Sequence, residues 1–463
     1  MRPVIASILL VTVGVGVYAG AFGGVFQYDD VFQIFFNTHL DRIEPFISHL
    51  GHMVRPVLSA TFFFDRSIFG HQPAGYHVLN LLLHLGSSVL VYRILSRAVS
   101  EESRYIPFWV ALLFLLHPIQ TETVTYISGR ASGLMAFFYL LALVLYIKAS
   151  EHSDSMKFPR LCLSGAVASF LLSVGSKEPA VTFPVVLLLW DILIRRLKGA
   201  ELRAAILSRH FPFWVVCMLA AAWAWNHPRY TSLAQFSLGL RPFWDNLLSE
   251  VHAVSYALLL FFCPWNLNFD HDLPIFHSLF QWPLPLDGLM LGALATAGLL
   301  LVRRLPLFAF GVAWFFLQLL PSSLIPRADL LSERNLYLAS IGFLLAIVVP
   351  ASHLIQWIMT VSPRPQYVRF GVNSLAVILV IVLCLFTFQR NMLYGDEVSL
   401  WSDTVRKSAN KARPHNNLGH AYAMEGDWDR AIDEFRLAVT LDPDYVLAQK
   451  NLRDAYLHHV RRQ

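Results

Sequence analysis

Long apolar runs separated by short charged segments occupy the chain from Val4 to Phe388. A helix needs about 20 mostly apolar residues to cross a bilayer. Runs of that order recur at 4–25, 76–95, 107–126, 131–149, 161–176, 179–194, 211–226, 286–302, 305–320, 334–350 and 370–388. A further stretch, 246–263, is ambiguous between a crossing helix and a re-entrant or interfacial one. The pattern predicts an all-α polytopic membrane protein with about eleven transmembrane helices plus one partial element. The first run follows Arg2 and shows no clear small-residue cleavage site after it, so it reads as an uncleaved span.

Basic residues orient these spans. Arg97 with Arg104, then Lys148, Lys157 and Arg160, then Arg195 to Arg209, then Arg303 with Arg304, then Arg364 with Arg369 mark five basic loops. Placing all of them in the cytoplasm puts the N-terminus inside and the carboxyl end outside. The external segments are then about 27–75, the tips near 118–130 and 176–178, the stretch 227–285, and 321–333. Composition agrees: 56% of residues are hydrophobic and 14% charged, against about 25% charged in a soluble chain. The net charge of +5 is accounted for by cytoplasmic loops, and no nucleic-acid partner is expected. Cys162, Cys217, Cys263 and Cys384 lie in or at the ends of apolar runs with no C-x-x-C spacing, so they read as buried thiols.

After about residue 390 the composition turns charged and Ala-rich, which predicts a membrane domain over 1–390 and a second domain over 391–463. Leu418, Gly419, Tyr422, Ala431, Phe435, Ala438 and Pro443 fall at the spacings of the 34-residue tetratricopeptide pattern. The best repeat is 412–445, with His415 replacing the usual aromatic. Trp401 sits at the Phe position of a preceding half-repeat, and another repeat would begin at Val446. A stacked solenoid usually needs at least three repeats. So short an α-solenoid is expected to lean on the membrane domain or on a partner, and to be either a structural cap or a docking surface.

Ionisable residues collect at the outer ends of the spans, where burial is costly and function common. Gln27-Tyr28-Asp29-Asp30 follows the first span; adjacent carboxylates repel, which raises one pKa and suits a base, although Asp-Asp also serves as a plain helix cap. Arg55-Pro56 comes next. His77, Asn80 and His84 share one helix face, fitted to interhelical hydrogen bonds or to a metal pair. His117-Pro118, Glu122 and Arg130 form another polar cluster, and Lys177-Glu178 suits a local ion pair. Phe269-Asp270-His271-Asp272 offers carboxylate and imidazole metal ligands, though adjacent residues rarely all bind one ion. Arg334 either forks onto a phosphate or pairs with Glu333. The chain has no Walker A loop, Rossmann fingerprint, G-x-S-x-G elbow or H-E-x-x-H.

In this order, from Tyr28-Asp29-Asp30 through Arg55-Pro56, Gly75-Tyr76-His77, His117-Pro118 to Arg130, Lys177-Glu178, Asp270-His271-Asp272 and Glu333-Arg334 to the terminal repeats, the chain resembles the transmembrane and tetratricopeptide-repeat-containing O-mannosyltransferases and their bacterial relatives, of the GT-C glycosyltransferase class. The resemblance implies the GT-C fold and transfer of mannose or another hexose from a polyprenyl-phosphate donor to an acceptor hydroxyl on the non-cytoplasmic face. It implies an inverting displacement with Asp29 or Asp30 as base, and Arg130, Lys177 and Arg334 as candidates around the donor phosphate. Arg55, His77, His117, Glu122, Glu178, Asp270, His271, Asp272 and Glu333 would form the supporting polar site. The implied setting is a bacterial inner membrane with site and repeats in the periplasm, or a lumen in a eukaryote. A divalent metal is possible but not favoured. The acceptor would be Ser or Thr of a protein recruited by the repeats. The alternatives are a glycolipid or polysaccharide acceptor with the repeats binding an assembly partner, or a non-enzymatic scaffold.

Overall fold

The structure is a computed structural model that describes residues 3–151 and 157–460, and among these every regular element is helical. Eight segments are long and apolar enough to cross a membrane: Pro3–Gly23, Pro73–Leu95, Ile127–Glu151, Lys157–Val174, Gly199–Asn226, Pro306–Leu324, Glu333–Val361 and Pro365–Leu393. The other three expected spans are helical but shorter or interrupted. Leu284–Leu300 is a 17-residue apolar helix. The run 179–194 opens with a tight 3-10 segment over Glu178–Thr182, and its helix Phe183–Leu189 continues in wider π-helical form over Trp190–Ile194.

The expected span 107–126 is corrected most. Its helix runs only from Ile106 to Leu116. Pro118 has no N–H and forces the residue before it out of the helical region; His117 accordingly sits at φ −70°, ψ 126°. The chain then turns back through short buried helical turns at Pro118–Gln120, Thr121–Val124 and Ile127–Gly129 before the helix Arg130–Glu151 begins. Polar residues read as the end of a span therefore form a folded tip within the bundle.

The helices Pro306–Leu324 and Leu336–Val361 run against each other at backbone distance: a Cβ on Gly342 would collide with the carbonyl of Gly311. Close approach through small residues is how membrane helices gain contact where lipid removes the hydrophobic drive. The ambiguous stretch is a helix over Phe243–Phe262, and its far end packs Ala257, Leu258, Leu260 and Phe261 into the main core.

Polar contacts sort to two ends of the bundle. Arg97 pairs with Glu151, Arg195 reaches the Ser150 carbonyl and Tyr146, Asp191 and His210 form one buried cluster. The other end gathers residues of 27–55, 122–130, 177–178, 268–271 and 327–335. The repeat segment sits on this second end. Its helices are Glu397–Lys407, Ala412–Glu425, Trp428–Leu441 and Val446–Val460. Gly419 leaves room for the Phe435 ring, which a Cβ would meet at 2.8 Å, and Gly426 at φ 82° closes the helix that contains it. Leu418, Ala431, Phe435 and Ala438 are buried, and Trp401 packs with Leu418 and Ala421.

Candidate active site

The turn after the first span separates the two adjacent aspartates. Tyr28 takes φ +47°, a left-handed conformation that costs a non-glycine residue about 1–3 kcal/mol unless its surroundings hold it. They do: its ring meets Phe269 and Trp401 edge-on at 6.2 and 5.7 Å. Asp30 is fully buried and accepts hydrogen bonds from the Gln27 N–H at 3.0 Å, the Ser128 N–H at 2.8 Å and the Ser128 hydroxyl. Burial pushes its carboxyl up to about 7, against those hydrogen bonds. Asp29 faces the other way. Its N–H donates to the Tyr126 hydroxyl at 3.1 Å, and its carboxylate, about a third exposed, lies 3.9 Å from the Arg334 guanidinium.

Asp29 lines a cavity of about 240 Å³ together with Gln33, Arg55, Ser128, Lys177, Arg327, Asp329, Ser332, Arg334 and Asn335. Four cations thus face two carboxylates. Their partners differ. Arg55 is bidentate on Glu178 at 3.1 and 2.9 Å. Arg334 lies 3.6 Å from Glu122, whose carboxylate also accepts from the Arg334 N–H and the Ser332 hydroxyl, and it stacks over Tyr126. Lys177 donates to Ser132 Oγ and Asn335 Oδ1, both at 2.7 Å, and forms no ion pair with a described residue. Burial pushes the Lys177 ammonium well down, and nearby Arg55, Arg334 and Arg327 add to this. Arg327 also has no ion-pair partner within 4 Å among the described residues, and its Nε is buried without a hydrogen bond. Neither cation has a described carboxylate within ion-pair distance, although Glu250 acts on Arg327 from farther off, so each keeps a donor that an anion could take.

A narrow crevice of mixed lining continues from Arg327, Ser332 and Asn335 past Glu250, Ser322 and Ser323 and the apolar Ala253, Ala257, Leu319 and Leu330, between the helices Phe243–Phe262 and Pro306–Leu324. A polar chamber on the other side, shared through Asp329, Ser332 and Arg334, brings in Tyr28, Glu122, Phe269, Asp270, Trp401 and Arg413.

A tetratricopeptide-repeat family profile matches residues 412–445. A protein O-mannosyl-transferase of Caenorhabditis elegans is 24% identical over 95% of this chain and 63% of its own length. Protein O-mannosyl-transferase Tmtc3 of Drosophila melanogaster is 27% identical over 86% of this chain and 49% of its own. The chain is a relative of the transmembrane and tetratricopeptide-repeat-containing O-mannosyl-transferase family. It spans about half the length of the curated relatives it matches. The crystal structure of ArnT from Cupriavidus metallidurans bound to undecaprenyl phosphate is 14% identical, covers 89% of this chain and 80% of that one, and has a TM-score of 0.42, a likeness too loose to compare sites.

Of the residues that the family resemblance singled out, Asp29, Lys177, Arg334 and Arg55 meet at the cavity, with Glu122 and Glu178 directly behind them. Arg130 is elsewhere. It is fully buried, ion-paired to Asp65 at 2.5 Å, and donates to Asn80 and to the Tyr76 carbonyl over the face of Phe62, which leaves it tying the outer helix Pro56–Phe69 to the bundle. The local pairs also come apart. Lys177 is in extended backbone, where successive side chains point opposite ways, so Glu178 takes Arg55 instead. Glu333 turns from Arg334 to Arg390 at 2.9 Å and His271 at 3.1 Å.

Asp270 pairs with Lys411 and Arg413, and Asp272 is exposed, so the Asp-His-Asp triplet does not converge. Among the described residues no three His, Cys, Asp or Glu side chains gather as a metal set. His77, His84 and His117 bond the Gly24 carbonyl, the Tyr337 hydroxyl and the Phe261 carbonyl, between segments. Arg327, Asp329 and Asn335 were missed by sequence reasoning. The charged Arg327-Ala328-Asp329 between apolar runs was the available signal, but nothing in its spacing showed what it faces.

Proposed function

We propose that this chain is a GT-C-type membrane glycosyltransferase that moves mannose or a related hexose from a polyprenyl-phosphate donor to a Ser or Thr hydroxyl of a protein, with Asp29 as the base. The observation that carries this reading is the cavity in which the partly exposed Asp29 carboxylate stands among Lys177, Arg327 and Arg334. Its volume suits one hexosyl phosphate head. Asp29 takes the proton of the acceptor hydroxyl as its oxygen bonds to C1 of the sugar. The C1–O bond to phosphate breaks with inversion, and polyprenyl phosphate leaves with the electron pair. The phosphate gains one negative charge in that step, so cations around it bind the transition state more strongly than the ground state.

The relatives' names support the mannose and protein-acceptor assignment, and the basic loops at the opposite end of the bundle support a site on the periplasmic or lumenal face. The full chain in lipid nanodiscs, given polyprenyl-phosphate [14C]mannose and a Ser/Thr-rich peptide, should label the peptide. Label only in an added glycolipid would replace the acceptor; an unconsumed donor would remove the reaction class.

A further inference from the structure

The repeat segment touches the cavity wall through charge. Arg413, in the first turn of the helix Ala412–Glu425, donates from Nε to Asp270 at 2.6 Å and from an Nη to Asp329. Lys411 lies 2.5 Å from Asp270 and 3.5 Å from Asp329. Asp270 is buried outside the main cavity, whereas Asp329 lines it, two residues from Arg327 and five from Arg334. A free carboxylate there would compete with a phosphate for both arginines.

We propose that Arg413 is a positioning residue that draws the Asp329 carboxylate onto the repeat and so leaves Arg327, which has no ion-pair partner among the described residues, open to the donor phosphate. The inference rests on the donor assignment above. The electrostatics agree: although burial acts upward, Arg413 and then Lys411 hold the Asp329 carboxyl below its usual range, with Arg334 a later contributor. The repeat thus stands behind one carboxylate of the anion site rather than in its lining.

The test is binding of undecaprenyl phosphate to the detergent-solubilised full chain, by quenching of intrinsic tryptophan fluorescence, with the same measurement on Arg413→Met, Asp329→Asn and the double variant. Lys411 still holds Asp270 in Arg413→Met, so the repeat stays docked, which its thermal transition checks. Arg413→Met should bind about tenfold more weakly, the scale of one charge-assisted contact. Asp329→Asn should bind at least as tightly as the parent, and the double variant should recover parent affinity. A clamp that is merely structural predicts the opposite for the double variant, because it breaks both ends of the pair. Parent-like binding by Arg413→Met, or a double variant as weak as Arg413→Met, overturns the inference. No binding by the parent chain would instead fault the donor assignment.

Discussion

Replacing Lys177 with Met should move stability and activity in opposite directions. The ammonium sits buried between Ser132 Oγ and Asn335 Oδ1, with two of its three N–H groups used and no described carboxylate as counter-ion. Keeping that charge costs the folded state, as its strongly lowered pKa records. Methionine retains most of the stem and removes the charge. The two acceptors left behind line or adjoin a polar cavity that water can enter. The melting temperature of Lys177→Met should therefore equal or exceed that of the parent. Transfer should fall about 10²–10³-fold, the loss from removing one donor aimed at developing negative charge, or roughly 3–4 kcal/mol in the barrier.

The same burial predicts an alkaline limb in the parent's rate, well below the ordinary lysine range, as Lys177 deprotonates; the variant should lack it. Thermal melts and initial rates with a polyprenyl-phosphate-sugar donor, in one detergent, supply all three readouts. A variant that melts lower yet transfers at the parent rate would show that Lys177 holds the tip together and serves no anion.

Other expectations follow from the same contacts. Arg130→Met leaves Asp65 buried without its partner and should cost about 3–5 kcal/mol in chemical denaturation, most of it recovered by adding Asp65→Leu; full stability of the single variant would return Arg130 to the list of donor-binding candidates. Asp30 has a folded pKa of about 7 against 3.8 when free, so its contribution to stability is complete below about pH 4 and is lost as pH rises to 7. Stability should fall across that window by at most about 1.4 kcal/mol per pH unit, and Asp30→Asn should flatten the slope. Trp401→Ala empties the aromatic support under Tyr28; it should cost about 3–5 kcal/mol and lower transfer, which makes deletion of 391–463 a poor test of acceptor recruitment alone.

Periodicity carried far in this chain. The apolar runs locate its helices, and the spacing of Leu418, Gly419, Tyr422, Ala431 and Phe435 identifies the repeat, because both signals are local. The break at His117-Pro118 was also visible, yet hydropathy outweighed it: Ile119, Val124 and Ile127 keep the tip apolar while its backbone turns. The site was legible as a set of residue types and not as a set of pairings. Asp29 and Asp30 are neighbours, and Ser128, 98 positions from Asp30, joins the nearby Gln27 N–H in holding one inward. Adjacency made a local ion pair one reading of Lys177-Glu178 and of Glu333-Arg334, beside a phosphate for Lys177 and Arg334, but the fold brings Arg55 and Arg390 to the two glutamates. Arg130 resembles a phosphate ligand until Asp65 is seen beside it. Nothing in the spacing placed Arg413 of the repeat on Asp329 of the membrane domain.

The central claim is that Asp29 is the base over an anion site. Its most direct test is single-turnover transfer from polyprenyl-phosphate mannose by Asp29→Asn, with binding of undecaprenyl phosphate measured on the same preparation. Lipid-phosphate binding should persist while the transfer rate drops about 10²–10⁴-fold, the usual contribution of a positioned base. Transfer at the parent rate, with binding unchanged, would contradict the account.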